Sequence, residues 1–282
     1  MKKQVSKLFT AGREQVGEHP MYQPLPSPEA PELDPFLLLH HHGPHLFAPY
    51  NQGLPFAPHP HRGFETLTII LAGAVEHADS LGYQSTIDAG GVQWMTAGRG
   101  LVHSENLPAV MREEGGEMEI LQLWMNLPAR LKKVPPRYQG FQKKDLPVVN
   151  SGNGISTQVI SGEHRSVKGP AESSTHLTIY SVAFESGATE EYTLPAGEQV
   201  FLYVTRGEVV VNGKLAYDHQ QVLFKPEGTK VEIKTQSVGH FILASGSPLN
   251  EPVVQHGPFV MNSTTEILEA MRDYQMGKMG IM

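Results

Sequence analysis

Cysteine is absent from the 282 residues, which excludes disulfides, thiolate metal sites and a cysteine nucleophile together. Any metal must therefore be held by nitrogen and oxygen. Aromatic residues are sparse at 8%, and no apolar run approaches the length of a membrane span. Basic tracts are short and the formal charge is -7, so a surface that neutralises nucleic-acid phosphates is not expected. The chain opens Met1-Lys2-Lys3-Gln4 but continues through Gly12, Arg13 and Glu14 rather than an apolar run, so no signal peptide is expected. A soluble, cytoplasmic protein without membrane or direct nucleic-acid partners is the default reading.

What is plentiful is glycine (28) and proline (22), a balance that suits many short strands joined by turns. The length allows two domains of ordinary size. Prolines at 20, 24, 26, 28, 31 and 35 forbid a helix and predict an extended connector lying over the surface. Phe36 to Leu39 reads as a short buried strand. The His40-His41-His42 run that follows cannot converge on one ion, because adjacent strand residues point to opposite faces, and it reads as solvated loop histidines.

Strands are predicted over Glu65 to Val75 with a break at Gly73, Val92 to Thr96 and Glu119 to Leu127. The basic, proline-containing stretch from Pro128 to Pro147 is read as the domain boundary, giving residues 1-134 and 135-282. Beyond it, Leu177 to Phe184, Gln199 to Thr205, Glu208 to Val211, Gln221 to Phe224, Lys230 to Ile233 and Phe241 to Ala244 repeat the pattern, with turns such as Asn212-Gly213 between them. Strands at this spacing predict an all-β chain of closed sandwiches or barrels. One helix is expected near the end, where Ser263-Thr-Thr-Glu266 forms a capping box before Ile267, Leu268, Met271 and Tyr274.

The chemistry-bearing segments are His59-Pro60-His61-Arg62-Gly63-Phe64-Glu65 and Gly100-Leu101-Val102-His103-Ser104-Glu105. Residues two apart on a strand share a face, so His59 pairs with His61 and His103 with Glu105. If the segments adjoin, three imidazoles and a carboxylate meet, a set suited to iron, manganese, nickel, copper or zinc. Glu65 shares the parity of His61, so spacing alone leaves Glu65 and Glu105 both open as the carboxylate ligand.

The runs His59-Pro-His-Arg-Gly-Phe-Glu-Thr66, Val92-Gln-Trp-Met-Thr-Ala-Gly-Arg-Gly-Leu-Val-His-Ser-Glu105 and Leu121-Gln-Leu-Trp-Met-Asn-Leu-Pro128 resemble the pirin family of the cupin superfamily, as does the tail Gly257-Pro-Phe-Val-Met-Asn262. The resemblance implies two cupin (jelly-roll) barrels in tandem with a short C-terminal helix. It implies metal ligands His59, His61, His103 and Glu105, with Glu65 in the outer shell. At the corresponding place in the second half, Leu194 to Gln199 contains no histidine and the later strands supply none in pairs, so that barrel is expected to bind no metal. The resemblance also implies one divalent ion, Fe(II) first and Zn, Mn, Ni or Cu next. The activity implied is that of a quercetin 2,3-dioxygenase acting on a flavonol and dioxygen, with Glu105 as catalytic proton acceptor. The alternative it implies is an iron-dependent redox-sensing regulator that binds transcription factors or metabolic enzymes. His41 and His42 depart from the family, which has an acidic and an aromatic residue there.

Overall fold

The computed structural model describes all residues from Met1 to Met282, and their contacts gather into two units. One consists of Arg13–Met21, Phe36–Lys144 and Leu249–Met282, and is called here the first barrel. The other, the second barrel, consists of Met1–Gly12, Tyr22–Pro35 and Asp145–Pro248. The central stretches change over between Lys144 and Asp145, inside the Pro128 to Pro147 segment. Each chain end is grouped with the half of the sequence remote from it.

In the first barrel a seven-stranded sheet runs, in spatial order, Arg137–Phe141, Val92–Thr96, Phe64–Ala72, Gly116–Asn126, Phe36–Phe47, His19–Leu25 and Gly12–Val16. A four-stranded sheet runs Phe56–His61, Leu101–Asn106, Ala74–Asp79 and Gln84–Asp88. Ile70, Val75, Ile87, Met118 and Ile120 are buried in one of its core clusters. Gly73 separates two of these strands with φ +74, and a Cβ there would stand 2.4 Å from the carbonyl oxygen of Glu117. Only glycine fits that turn without strain.

Two sequence expectations are corrected here. The proline-rich stretch begins with the strand His19–Leu25, and Met21, Leu25, Ala30 and Leu33 are buried rather than laid over the surface. Proline's fixed φ is compatible with an extended chain, so a helix is excluded and a strand is not. The three adjacent histidines lie not in a solvated loop but in the strand Phe36–Phe47, with His41 and His42 buried. Pairing with Gly116–Asn126 along its length carries the strand past Leu39.

The second barrel repeats the plan. Its larger sheet runs Val5–Thr10, Gln220–Phe224, Gln199–Arg206, Gly239–Gly246, Thr178–Phe184, Ile155–Ser161 and Val148–Asn150, and its smaller one Thr189–Thr193, Lys230–Thr235, Val209–Val211 and Lys214–Ala216. The turn residues Asn212 and Gly213 both have positive φ, as a tight hairpin with the favoured twist requires. A single apolar cluster from Ile155 to Leu243 fills the interior.

The expected terminal helix is Thr264–Gln275, with the Ser263 hydroxyl accepting from the Glu266 amide. A second short helix, Ala109–Glu114, carries no pattern that announced it. No helix is long and apolar enough to cross a membrane.

Candidate metal centre

The strands Phe56–His61 and Leu101–Asn106 are antiparallel neighbours, in a register that sets His103 directly opposite His59. With His61 two residues further along the same face, three imidazoles converge. Nε2 of His59 lies 3.0 Å from Nε2 of His61 and 3.0 Å from Nε2 of His103. His61 and His103 are buried, while His59 is half-buried.

Nδ1 of His59 stands 2.8 Å from the carbonyl oxygen of Ala57. A carbonyl only accepts, so Nδ1 carries the hydrogen and Nε2 presents its lone pair to the other two rings. Burial, reinforced by His59, holds His61 down at about 3. Burial, then His61, His59 and His77, hold His103 well below its ordinary value. Both rings are neutral at pH 7, so no proton need leave before an ion binds. Neutral imidazoles crowded nitrogen to nitrogen fit a divalent transition ion and suit magnesium or calcium poorly.

Glu105 is buried, and each of its oxygens is held. Oε1 accepts from the Thr68 hydroxyl at 2.9 Å and Oε2 from the Gln122 amide at 2.9 Å. The tight group is the three histidines alone, and the carboxylate, further along the strand of His103, is held by these two donors. Glu65 is placed elsewhere. It is paired across the sheet with Met125, whereas Thr66 is paired with Trp124, which touches His61; Glu65 therefore occupies the opposite face of its strand. There it accepts from the Thr96 hydroxyl at 2.6 Å. Parity with His61 is lost because the chain turns at Gly63, φ +90, between the two strands.

Sequence reasoning missed the surroundings. The Trp124 ring lies 5.2 Å from that of His61 and 4.5 Å from that of Phe64, forming an aromatic wall. His77 stacks on Tyr138 at 4.2 Å, sits 5.4 Å from His103, and has Nε2 3.2 Å from Asp79. Burial pushes the Tyr138 hydroxyl up to about 12, so it stays protonated. The spacing His77-x-Asp79 on a strand carried the same signal as His59-x-His61. Thr68 and Gln122 offered none, because their role depends on cross-strand register.

Residues from the chain's end brace the site. Arg62 donates to Asp273 at 3.1 Å and to the Arg99 carbonyl at 2.6 Å. Lys132 is buried, with Nζ donating to the carbonyls of Gly63 at 2.8 Å and Val260 at 3.0 Å and to the Asn126 side chain at 2.6 Å.

Two tandem antiparallel barrels, the first with the imidazoles of His59, His61 and His103 converging in it, define a bicupin. The Pirin family model matches residues 18–125 and that of the Pirin C-terminal cupin domain matches residues 179–280. The chain belongs to the pirin family. A pirin-like protein of Solanum lycopersicum is 40% identical over 257 residues, covering 90% of this chain and 84% of the relative. The crystal structure of quercetin 2,3-dioxygenase from Acinetobacter baumannii superposes with a TM-score of 0.94 at 36% identity, covering 100% of both chains. Bacterial pirin YhhW of Escherichia coli, solved in complex with nickel(II), shares the fold with a TM-score of 0.67 at 22% identity, over 86% of this chain and 100% of its own.

Proposed function

We propose that this chain is a metal-dependent dioxygenase that opens the central ring of a flavonol. The observation that carries the reading is three imidazoles meeting nitrogen to nitrogen, with a buried carboxylate on the strand of His103 held by Thr68 and Gln122. His59, His61 and His103 would hold a divalent ion, iron being the one expected, with Glu105 as the fourth donor. Such an ion supplies Lewis acidity toward the flavonol 3-hydroxyl and 4-carbonyl and a meeting point for dioxygen.

The chain's own residues supply the rest. Glu105 takes the 3-hydroxyl proton at a carboxylate oxygen, and Thr68 and Gln122 keep that carboxylate aimed while it does so. Trp124, backed by the buried Phe64, offers an apolar face for an aromatic ring. Tyr138, kept protonated, can donate a hydrogen bond but brings no second base. Over the cycle both atoms of dioxygen enter the products, the ring opens, carbon monoxide leaves, and the proton on Glu105 returns to the opened acid.

The name of the Acinetobacter protein supports the substrate class, and the nickel complex of the Escherichia coli pirin supports a divalent ion in this fold. The test is oxygen uptake and carbon monoxide release with quercetin by iron-loaded protein, with His61→Ala as control. Equal rates for the two proteins would discard the reading. Glu105→Gln keeps three imidazoles, so turnover should fall much further than metal content. Unchanged turnover at equal metal content would remove Glu105 as the base.

A further inference from the structure

A second group of imidazoles lies in the first barrel, apart from the three that meet at His59. His40 and His42 share a face of the strand Phe36–Phe47, opposite Gln122 and Ile120 respectively. Gln122 reaches Glu105, so this is the inner face. His41, on the other face, is engaged by Glu119 at 2.8 Å. His19, from the strand His19–Leu25, is fully buried, and its Nε2 lies 3.0 Å from Nδ1 of His42. Ring centroids are 5.2 Å apart for His19 and His42, 5.7 Å for His40 and His42, and 6.4 Å for His19 and His45.

The spacing repeats that of the first cluster, where ring nitrogens also stand 3.0 Å apart. A plain hydrogen bond between His19 and His42 uses one N–H and one lone pair. Nδ1 of His19 is buried without a partner whether the two rings share a hydrogen or an ion, so the donor that His19 would offer is Nε2. An unpaired buried polar group costs about 1–3 kcal/mol, a cost that an apolar residue at position 19 would avoid. Burial also holds His19 and His40 at about 4 and His42 at about 2, so all three rings keep a lone pair free of protons at pH 7. His40 and His45 are half-buried, which gives an ion a way in.

We propose that His19 and His42, completed by rotation of the His40 and His45 side chains, form a second metal site. Two nitrogens at this separation can both lie about 2.1 Å from one ion at an angle of roughly 90°. The donors are imidazoles alone, so the ions that fit are zinc, copper, nickel or cobalt, and the oxygen-seeking magnesium and calcium do not. Bound there, the ion ties the strand His19–Leu25 to Phe36–Phe47 and has no part in turnover. The assignment stands independently of the proposed reaction.

The experiment counts ions. Full-length protein is stripped with chelator, dialysed against cobalt(II) or zinc(II), freed of excess by gel filtration and measured for metal. Wild type should hold two equivalents and His59→Ala/His61→Ala one. Adding His42→Phe, or His19→Gln if that variant does not fold, should bring the count to zero. One equivalent in wild type and none in His59→Ala/His61→Ala overturns the proposal. An ion that survives the added substitution lies elsewhere and overturns it equally.

Discussion

The two barrels share one plan, a seven-stranded and a four-stranded sheet each, and part company plainly at one pair of strands. In the first, Phe56–His61 and Leu101–Asn106 set His59 opposite His103. In the second, the pair at the same place in the sheet order is Thr189–Thr193 with Lys230–Thr235, which sets Tyr192 opposite Val231 and Glu190 opposite Ile233. The Tyr192 hydroxyl is 2.8 Å from that of Thr157, its ring packs 4.9 Å from His164, and Arg165 meets Glu190 at 2.6 Å. The scaffold is thus indifferent to the chemistry. A few side chains on one strand pair make a donor cluster in one barrel and an aromatic core in the other.

That contrast breaks most sharply at His61. His61→Ala should lower metal affinity at the first centre by more than about 100-fold, since outer-shell changes alone cost 10–100-fold. Bound metal after gel filtration measures it. No substitution at Tyr192 should change that number, and a loss there would deny the division of labour. Next in size is Lys132→Met, which strands three buried oxygens and should cost about 3 kcal/mol. Trp94 and Trp124 are the chain's two tryptophans and both belong to the first barrel, so fluorescence follows that barrel alone during denaturation. Hydrogen exchange of Gln199–Arg206 and Gly239–Gly246 follows the other, and should be unmoved.

Acid should separate the barrels as well. In metal-free protein, burial depresses His42 to about 2 and His19 and His40 to about 4, and these rings bind protons more readily once unfolded, near 6.5. Their contribution is therefore whole above pH 6.5 and is lost as pH falls below it. His42 alone should cost roughly 1.4 kcal/mol per pH unit in that window. In the second barrel the one histidine held down by burial is His164. Tryptophan fluorescence should report unfolding of the first barrel before exchange opens the second, and His42→Phe should flatten the slope. A slope unaffected by His42→Phe would place the acid sensitivity elsewhere.

Much of this was legible in the residues, for identifiable reasons. The strand Val92–Thr96 appears in the sequence as an unbroken β-prone run and in the structure with the same bounds. The same-face pair His59 and His61 needed only the two-residue period of a strand, while the meeting of His103 with His59 depends on the register between two strands. What could not be seen depends on partners distant in sequence. Val5–Thr10 is a strand because Gln220–Phe224 offers it an edge, and nothing local announces that. His40 to His42 looked like loop because imidazole is polar, whereas pairing with Gly116–Asn126 decides the matter. Glu65 shares the parity of His61 by counting, and the turn at Gly63 between the two strands puts it on the face opposite Thr66.

The smallest effect tests the exchange of chain ends. Ser263 caps the helix Thr264–Gln275, and the Glu266 carboxylate reaches back to the Asn262 amide at 3.1 Å. Ile267 and Ala270 of that helix join Val102, Phe259, Met261 and Met279 in one apolar cluster, and Val102 immediately precedes the ligand candidate His103. Removing the cap with Ser263→Ala should cost about 1 kcal/mol of helix stability. Because the helix counts with the first barrel despite following the second in sequence, that loss should fall on the tryptophan transition and leave exchange in Gly239–Gly246 where it was. If exchange in the second barrel accelerates by the same free energy, the terminal helix supports the half it follows, and the grouping of the ends is not what holds the first barrel together.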